Sequence, residues 1–234
     1  MNSIWEKSVE RVHFPPLREG KNTDVLIIGG GIAGILCAYM LNAAGVDCML
    51  VEAKNIAGGV TGNTTAKITF AHGLLYDKLI RRYGKERAGL YLQAQRGACE
   101  KYAELCRDIS CDYEIKDSFV YSLNSVKRIM REVDALNSLG VGAEFVDKLP
   151  LPIRPRGAVR VKNQAQFNPL KFIFGISKGL PIYEKTKVLE LKNGEAVTEH
   201  GSIRYKKLIV ATHFPILNKH GSYFLKLYQH RSYV

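Results

Sequence analysis

The sequence predicts an α/β fold: a parallel sheet with helices packed on it, a small antiparallel meander, and the start of an antiparallel second domain. Three observations carry this. First, the apolar run 24–28 enters the glycine turn Gly29-Gly30-Gly31-Ile32-Ala33-Gly34, and a helix-compatible stretch and a second apolar run ending at Glu52 follow it. Strand, turn, helix, strand and acid in that order form a βαβ unit. Second, 185–191, 195–198 and 202–205 read as short strands, with Lys192-Asn193-Gly194-Glu195 supplying hairpin-turn chemistry. Third, from Tyr113 onward strand patterns at 118–123, 143–146 and 158–161 flank a helical stretch at 125–139 that ends at Gly140.

Each part of the βαβ unit has a physical task. Gly29 allows the tight turn, Gly31 lets the backbone approach a pyrophosphate, and Gly34 lets the helix pack closely on the strand. The helical stretch 35–44 presents unpaired N-terminal amides and the positive end of its dipole to the phosphates. Glu52 stands where a carboxylate receives a ribose hydroxyl pair. The alternative is a glycine-rich turn packed for structure alone. The segment 53–72 follows, with glycines at 58, 59 and 62 and threonines at 61, 64, 65 and 69. Such a segment is loop or short helix, in which bare backbone and hydroxyls can approach a ligand.

Residues 74–108 are helical by pattern, with a break near Gly84; Leu75, Leu79, Ile80 and Tyr83 share one face before it. Residues 149–156 hold three prolines and form a connector. Asn168-Pro169 opens a helix to about Lys178, with Pro169 suited to the first turn. The run 207–211 predicts a short buried strand, followed by Thr212. Residues 1–21 read as a lead-in over the domain surface.

Composition narrows the classes. No run reaches the roughly 18 to 20 apolar residues of a membrane helix. The five cysteines, at 37, 48, 99, 106 and 111, make no C-x-x-C pair, so the expectation is reduced thiols in a cytoplasm and no metal site. The net charge of +12 raises nucleic-acid binding. The basic residues are spread along the chain, however, with denser patches at 78–85 and 153–162. No helix-turn-helix, zinc or RNP-type signature accompanies them. The expectation is a small-molecule substrate, with no nucleic acid and no membrane; oligomerisation is left open.

With these residues in place, almost the whole chain from Asn22 resembles the FAD-dependent amine and amino-acid oxidoreductases of the D-amino-acid oxidase and sarcosine oxidase type. The resemblance rests on the βαβ unit, the loop Gly58-Gly59-Val60-Thr61-Gly62-Asn63-Thr64-Thr65-Ala66-Lys67, Phe167-Asn168-Pro169, and Leu208-Ile209-Val210-Ala211-Thr212. Within that family it looks most like gamma-glutamylputrescine-oxidase-like proteins, with Ala-Thr-His-Phe-Pro at 211–215.

The resemblance implies a Rossmann-like FAD-binding domain built from 22–112 and 164–217, a partial substrate domain at 113–163, and the start of a missing C-terminal part at 218–234. It implies that Gly29, Gly31, Ile32, Ala33 and Gly34 hold the pyrophosphate of FAD and Glu52 the adenosine ribose, with Ala53 and Lys54 bordering that end. Gly59, Thr61, Thr64, Thr65, Ala66 and Lys67 would run beside the ribityl chain and flavin, Val188 would meet adenine, and Ala211 with Thr212 would pass under the pyrophosphate. Ala66 stands near the place where some relatives link flavin through a histidine, so the FAD is expected to be non-covalent. The implied reaction is oxidation of an amine or amino acid at the C–N bond by hydride transfer to flavin.

No catalytic base stands out; His72 and His213 read as structural histidines. The resemblance also implies a longer protein, so this chain reads as an N-terminal portion, and turnover by these residues alone is not implied. Two alternatives remain: a nucleotide-binding remnant without activity, and an NAD-dependent dehydrogenase on the same βαβ unit. Glu52 disfavours NADP, whose 2′-phosphate it would repel.

Overall fold

The computed structural model describes residues 3–214, 216 and 223–227. In chain order the elements are β1 (Lys21–Ile28), α1 (Ile32–Ala43), β2 (Cys48–Val51), a 3-10 turn (Val60–Asn63), β3 (Lys67–Ile68), α2 (Tyr76–Leu105), β4 (Glu114–Ser122), α3 (Val126–Ser138), β5 (Glu144–Val146), β6 (Gly157–Gln166), α4 (Pro169–Ile176), β7 (Ile182–Tyr183), β8 (Val188–Lys192), β9 (Glu195–Thr198), β10 (Gly201–Val210) and the short α5 (Tyr223–Lys226). They form two compact units, Met1–Thr65 with Pro169–Val234, and Ala66–Asn168. Residues 66–112, grouped with the nucleotide-binding part in the sequence reading, therefore pack with 113–168. Pro215 and most of 217–234 lie outside the described residues.

The first unit holds a six-stranded sheet in the order β7-β2-β1-β10-β9-β8. Strands β7, β2, β1 and β10 run parallel, and β9 and β8 extend the sheet antiparallel as the meander. Side chains alternate across the pleat. Leu26 and Ile28 thus share one face with Met49, Val51, Ala196 and Ile203. Ile27 and Leu50, also fully buried, fall on the other. A strand covered on both faces reads as a continuous apolar run, as 25–28 does.

The lead-in joins this core. Leu17, only 1% exposed, packs in the same cluster as Leu26 and Met49, where burial of such a side chain contributes about 2 kcal/mol. Helix α1 begins at Ile32, three residues before the apolar run, so the turn glycine Gly34 is already helical. It ends where Gly45 takes a φ of +72°, the left-handed geometry that stops helices.

Two strand expectations need correction. The runs 202–205 and 207–211 are one strand, β10, because β1 pairs with it from Lys21↔Ile203 to Ile28↔Val210 across the polar Lys206-Lys207. Its second half is half-buried rather than buried, since β9 pairs only with 201–204 and leaves 207–210 with β1 as its described strand partner.

In the second unit β6 pairs antiparallel with β3, β4 and β5. Pairing with β6 starts β4 at Glu114, four residues earlier than its polar pattern suggests. Helix α2 is interrupted at Gly84, whose φ of +84° and ψ of 162° are non-helical. Ile129, Val133 and Leu136 of α3 pack with Tyr76, Leu92, Val159 and Val161. Glu132, 1% exposed, faces the start of α2. Its Oε1 accepts from the amides of Leu75 (2.9 Å) and Tyr76 (2.7 Å), and its Oε2 from that of Asp77 (3.0 Å). A carboxylate from another helix therefore satisfies three of the amides that a helix start leaves open.

Candidate functional site

The parallel strands and the turn after β1 build one cleft in the first unit, of about 870 Å³, within the range of small-molecule and cofactor sites. Its floor is the glycine turn. Gly29 has a φ of +112°, and a Cβ there would lie 2.7 Å from the Ala211 carbonyl oxygen. A Cβ on Gly34 would overlap the Gly29 carbonyl oxygen, so α1 can sit this close to the turn only without a side chain there. Gly31 differs. A Cβ on it would meet only the Thr61 Oγ1, at 3.5 Å. Its bareness is not required by protein packing, which fits a ligand that comes against the backbone at the start of α1.

Around this turn the cleft is lined by Gly29, Gly31, Ile32 and Ala33, by Glu52, Ala53, Lys54, Gly59 and Thr61 from the segment after β2, and by Val188, Ala211 and Thr212 from the far strands. Gly34 does not line it but supports it from behind. Thr64 and Thr65 do not line it either, and Ala66 and Lys67 open the second unit. Ala66 is buried with a φ of 56°, while Lys67 is exposed at the start of β3.

The polar groups of the cleft are already organised. The Glu52 Oε2 accepts from the Gly30 amide at 2.7 Å, and its Oε1 from the Lys54 amide at 2.8 Å. Each carboxylate oxygen keeps acceptor capacity beyond one bond, so Glu52 holds turn and loop together and can still receive a hydroxyl. Thr61 is buried, and its Oγ1 accepts from the Ile32 amide at 3.0 Å. That caps the first turn of α1 and leaves the hydroxyl proton for an acceptor. Ala211 donates its amide to Ile28 O at 2.8 Å, which fixes the chain after β10 beside the turn.

Sequence reasoning missed several contributors. Arg11, Asn55, Gly58, Thr186, Lys187 and His213 also line the cleft. Gly58 lies in a loop already singled out, but Arg11 carries no motif at all. Behind the cleft the buried Glu184 accepts from the Ile56 amide at 2.7 Å and the Phe14 amide at 3.2 Å. It clasps the lead-in to the segment after β2. Among the described residues no cluster of three potential metal ligands occurs, and no helix is long and apolar enough to cross a membrane.

A cradle with bare backbone at a helix start, a carboxylate at the end of β2 and a buried hydroxyl between them fits a dinucleotide in which two phosphates join two polar ends. Comparison with known proteins points the same way. The family described as "FAD dependent oxidoreductase" matches residues 24–234. The chain is 36% identical over 99% of its length to a Bacillus subtilis (strain 168) protein named "Putative Rieske 2Fe-2S iron-sulfur protein YhfW", of which it covers 48%. It is 24% identical over 85% of its length to the "Gamma-glutamylputrescine oxidoreductase" of Escherichia coli (strain K12), covering 50% of it. Among solved structures, the glycine oxidase of Bacillus cereus ATCC 14579 superposes with a TM-score of 0.61 at 22% identity, over 81% of this chain and 55% of that one. The chain thus spans about half the length of the relatives it matches.

Proposed function

This chain belongs to the FAD-dependent oxidoreductase family, and from that premise we propose that it is the FAD-binding part of an enzyme that oxidises a small amine or amino acid at its C–N bond. The observation that carries the reading is the bare Gly31 backbone at the start of α1, facing a cleft bordered by Glu52 and Thr61. Bound FAD supplies the hydride acceptor. The chain's own residues bind and orient it. The amides at the start of α1 and its dipole end favour the diphosphate, held over Gly29, Gly31 and Ala33. Glu52 accepts from the adenosine ribose, with Ala53 and Lys54 beside it and Val188 toward the adenine. Thr61 donates its free hydroxyl proton to the cofactor, and Ala211 and Thr212 close the turn side. Thr64, Thr65, Ala66 and Lys67 serve the flavin end. The functional division remains the one the resemblance implies: 22–112 and 164–217 for FAD, 113–163 for substrate. Free thiols at all five cysteines support a reducing, cytoplasmic setting.

The relative named for a Rieske cluster supports one refinement, an iron–sulfur centre as the acceptor that reoxidises the flavin. Such a centre takes two cysteines and two histidines. Among the described residues no group of three potential ligands stands together, so the ligands would come from outside them.

Absorbance tests the reading directly. Purified protein is expected to be yellow, with flavin bands in the blue and near-ultraviolet, and acid should release free FAD. Protein that is colourless and takes up no FAD at micromolar concentration overturns it.

A further inference from the structure

The first residues of the chain form a strap along the cleft. The Trp5 Nε1 donates to Thr64 O (2.9 Å), Arg11 Nη1 to Ile56 O (3.3 Å), the Phe14 amide to Glu184 Oε2 (3.2 Å) and the Leu17 amide to Thr186 Oγ1 (3.0 Å). The strap therefore passes from the end of the threonine loop, past the segment after β2, to the residues before β8. Among the described residues, Arg11 is the one side chain of this strap that lines the cleft.

Its guanidinium is held in place rather than free. Nη2 donates to Glu6 Oε1 at 2.6 Å while Nη1 is on Ile56 O, and the side chain is only 27% exposed. Two partners use two of the five donors that a guanidinium carries, and it stays charged at any pH of interest. A fixed, partly buried cation aimed into a cleft suits an anion. Its planar fork matches two oxygens of a phosphate better than a ribose hydroxyl or an adenine edge does. Ile56, which anchors it, lies between Glu52 and Thr61 in the chain, the residues that bracket the middle of the cleft.

We propose that Arg11 is a phosphate-recognising residue, donating across the cleft to the diphosphate of the bound dinucleotide, with the Glu6 oxygen holding the guanidinium in position. The proposal rests on the FAD reading above. It adds to that reading a binding residue outside the βαβ unit, and it makes docking of the strap and binding of the cofactor mutually reinforcing.

Titration calorimetry on the full chain with FAD, ADP and adenosine tests it, using wild type, Arg11→Met, Arg11→Lys and Glu6→Gln. Arg11→Met should weaken FAD and ADP by about tenfold, as loss of a charge-assisted pair implies, and flatten their salt dependence while leaving adenosine unchanged. Arg11→Lys should recover part of the loss. Glu6→Gln keeps an oxygen to accept from Nη2, so Arg11 stays positioned, and it should bind ADP at least as tightly as wild type because an opposing negative charge is gone. A strap that serves only as an anchor gives a different pattern. Arg11→Met and Glu6→Gln both break the same ion pair, so both would weaken all three ligands alike, and that result overturns the proposal even if Arg11→Met is poorly folded. Wild type that binds ADP with an affinity equal to that of Arg11→Met overturns it alone. Wild type that binds neither FAD nor ADP overturns it together with the FAD reading.

Discussion

The Thr61 hydroxyl oxygen accepts the Ile32 amide proton over 3.0 Å, so the threonine loop caps the helix that follows the glycine turn. Two segments that look independent in sequence are one device. Gly31, the residue before the helix, makes no side-chain cap of its own, and the loop 29 residues away in sequence supplies it.

Thr61→Val keeps the shape and removes the cap. Loss of such a cap costs about 1 kcal/mol, to be read from denaturant unfolding of the apo protein. Thr61→Ser should restore it. FAD affinity should fall in the valine variant, because the hydroxyl donor is lost as well.

Glu52→Gln replaces an oxygen that faces an amide donor with an NH₂ donor. One of the two bonds to Gly30 and Lys54 must break, at a cost of about 1–3 kcal/mol. Denaturant midpoints and FAD titration should both register it. An unchanged midpoint would show that the turn and loop do not depend on this carboxylate.

Glu132→Ala strips the start of α2 of its carboxylate and leaves three amides facing a buried gap. The expected loss is about 3 kcal/mol. Calorimetric unfolding checks it, and ADP affinity at 20 °C should stay at the wild-type value, since Glu132 belongs to the other compact unit.

Acid should weaken the strand pair β4–β6. Hydrogen bonding to Arg160, at 2.7 Å from its Nε, holds the Asp117 carboxyl below its ordinary value of 3.8. A carboxyl with a lowered folded pKa contributes stability above its unfolded pKa and loses it as the pH falls through the folded one. Asp117→Asn should therefore flatten the drop in stability below about pH 4. An acid transition identical to that of wild type would contradict this.

Burial pushes the Cys106 thiol up to about 12, with the neighbouring Cys111 adding to the effect. Thiolate, not thiol, reacts with alkylating reagents. Iodoacetamide at pH 8 should leave Cys106 intact in the folded protein and modify it after denaturation, as peptide mapping would report. Rapid modification in the native state would be inconsistent with this burial.

The parts of the fold legible in sequence are those whose cause is local. The spacing of Gly29, Gly31 and Gly34 fixes a turn within six residues, Gly84 breaks a helix by its own φ, and Asn193-Gly194 makes a hairpin. The Glu52 carboxylate is legible as a candidate that the fold places on the cleft, but its bonds to the Gly30 and Lys54 amides are not, because they depend on how the turn meets the loop. Glu132 looks like one more charge on an amphipathic helix, and its partners lie more than fifty residues away. Lys206 reads as a strand break, yet pairing with β1 carries the strand through it. Arg11 and Leu17 belong to a segment without periodicity, whose position is set by contacts with 56, 186 and the sheet.

The pairing of β1 with β10 has a consequence for the order in which the molecule can be made. Residues 21–28 leave the ribosome first, and their partners at 203–210 emerge some 180 residues later. Until then the strand that carries the glycine turn has an open edge on that side, a template for pairing with other chains. Contacts of such long sequence separation also slow folding. Nascent chains stalled before residue 210 should therefore lean on chaperones, and the cleft can close only after β10 has emerged.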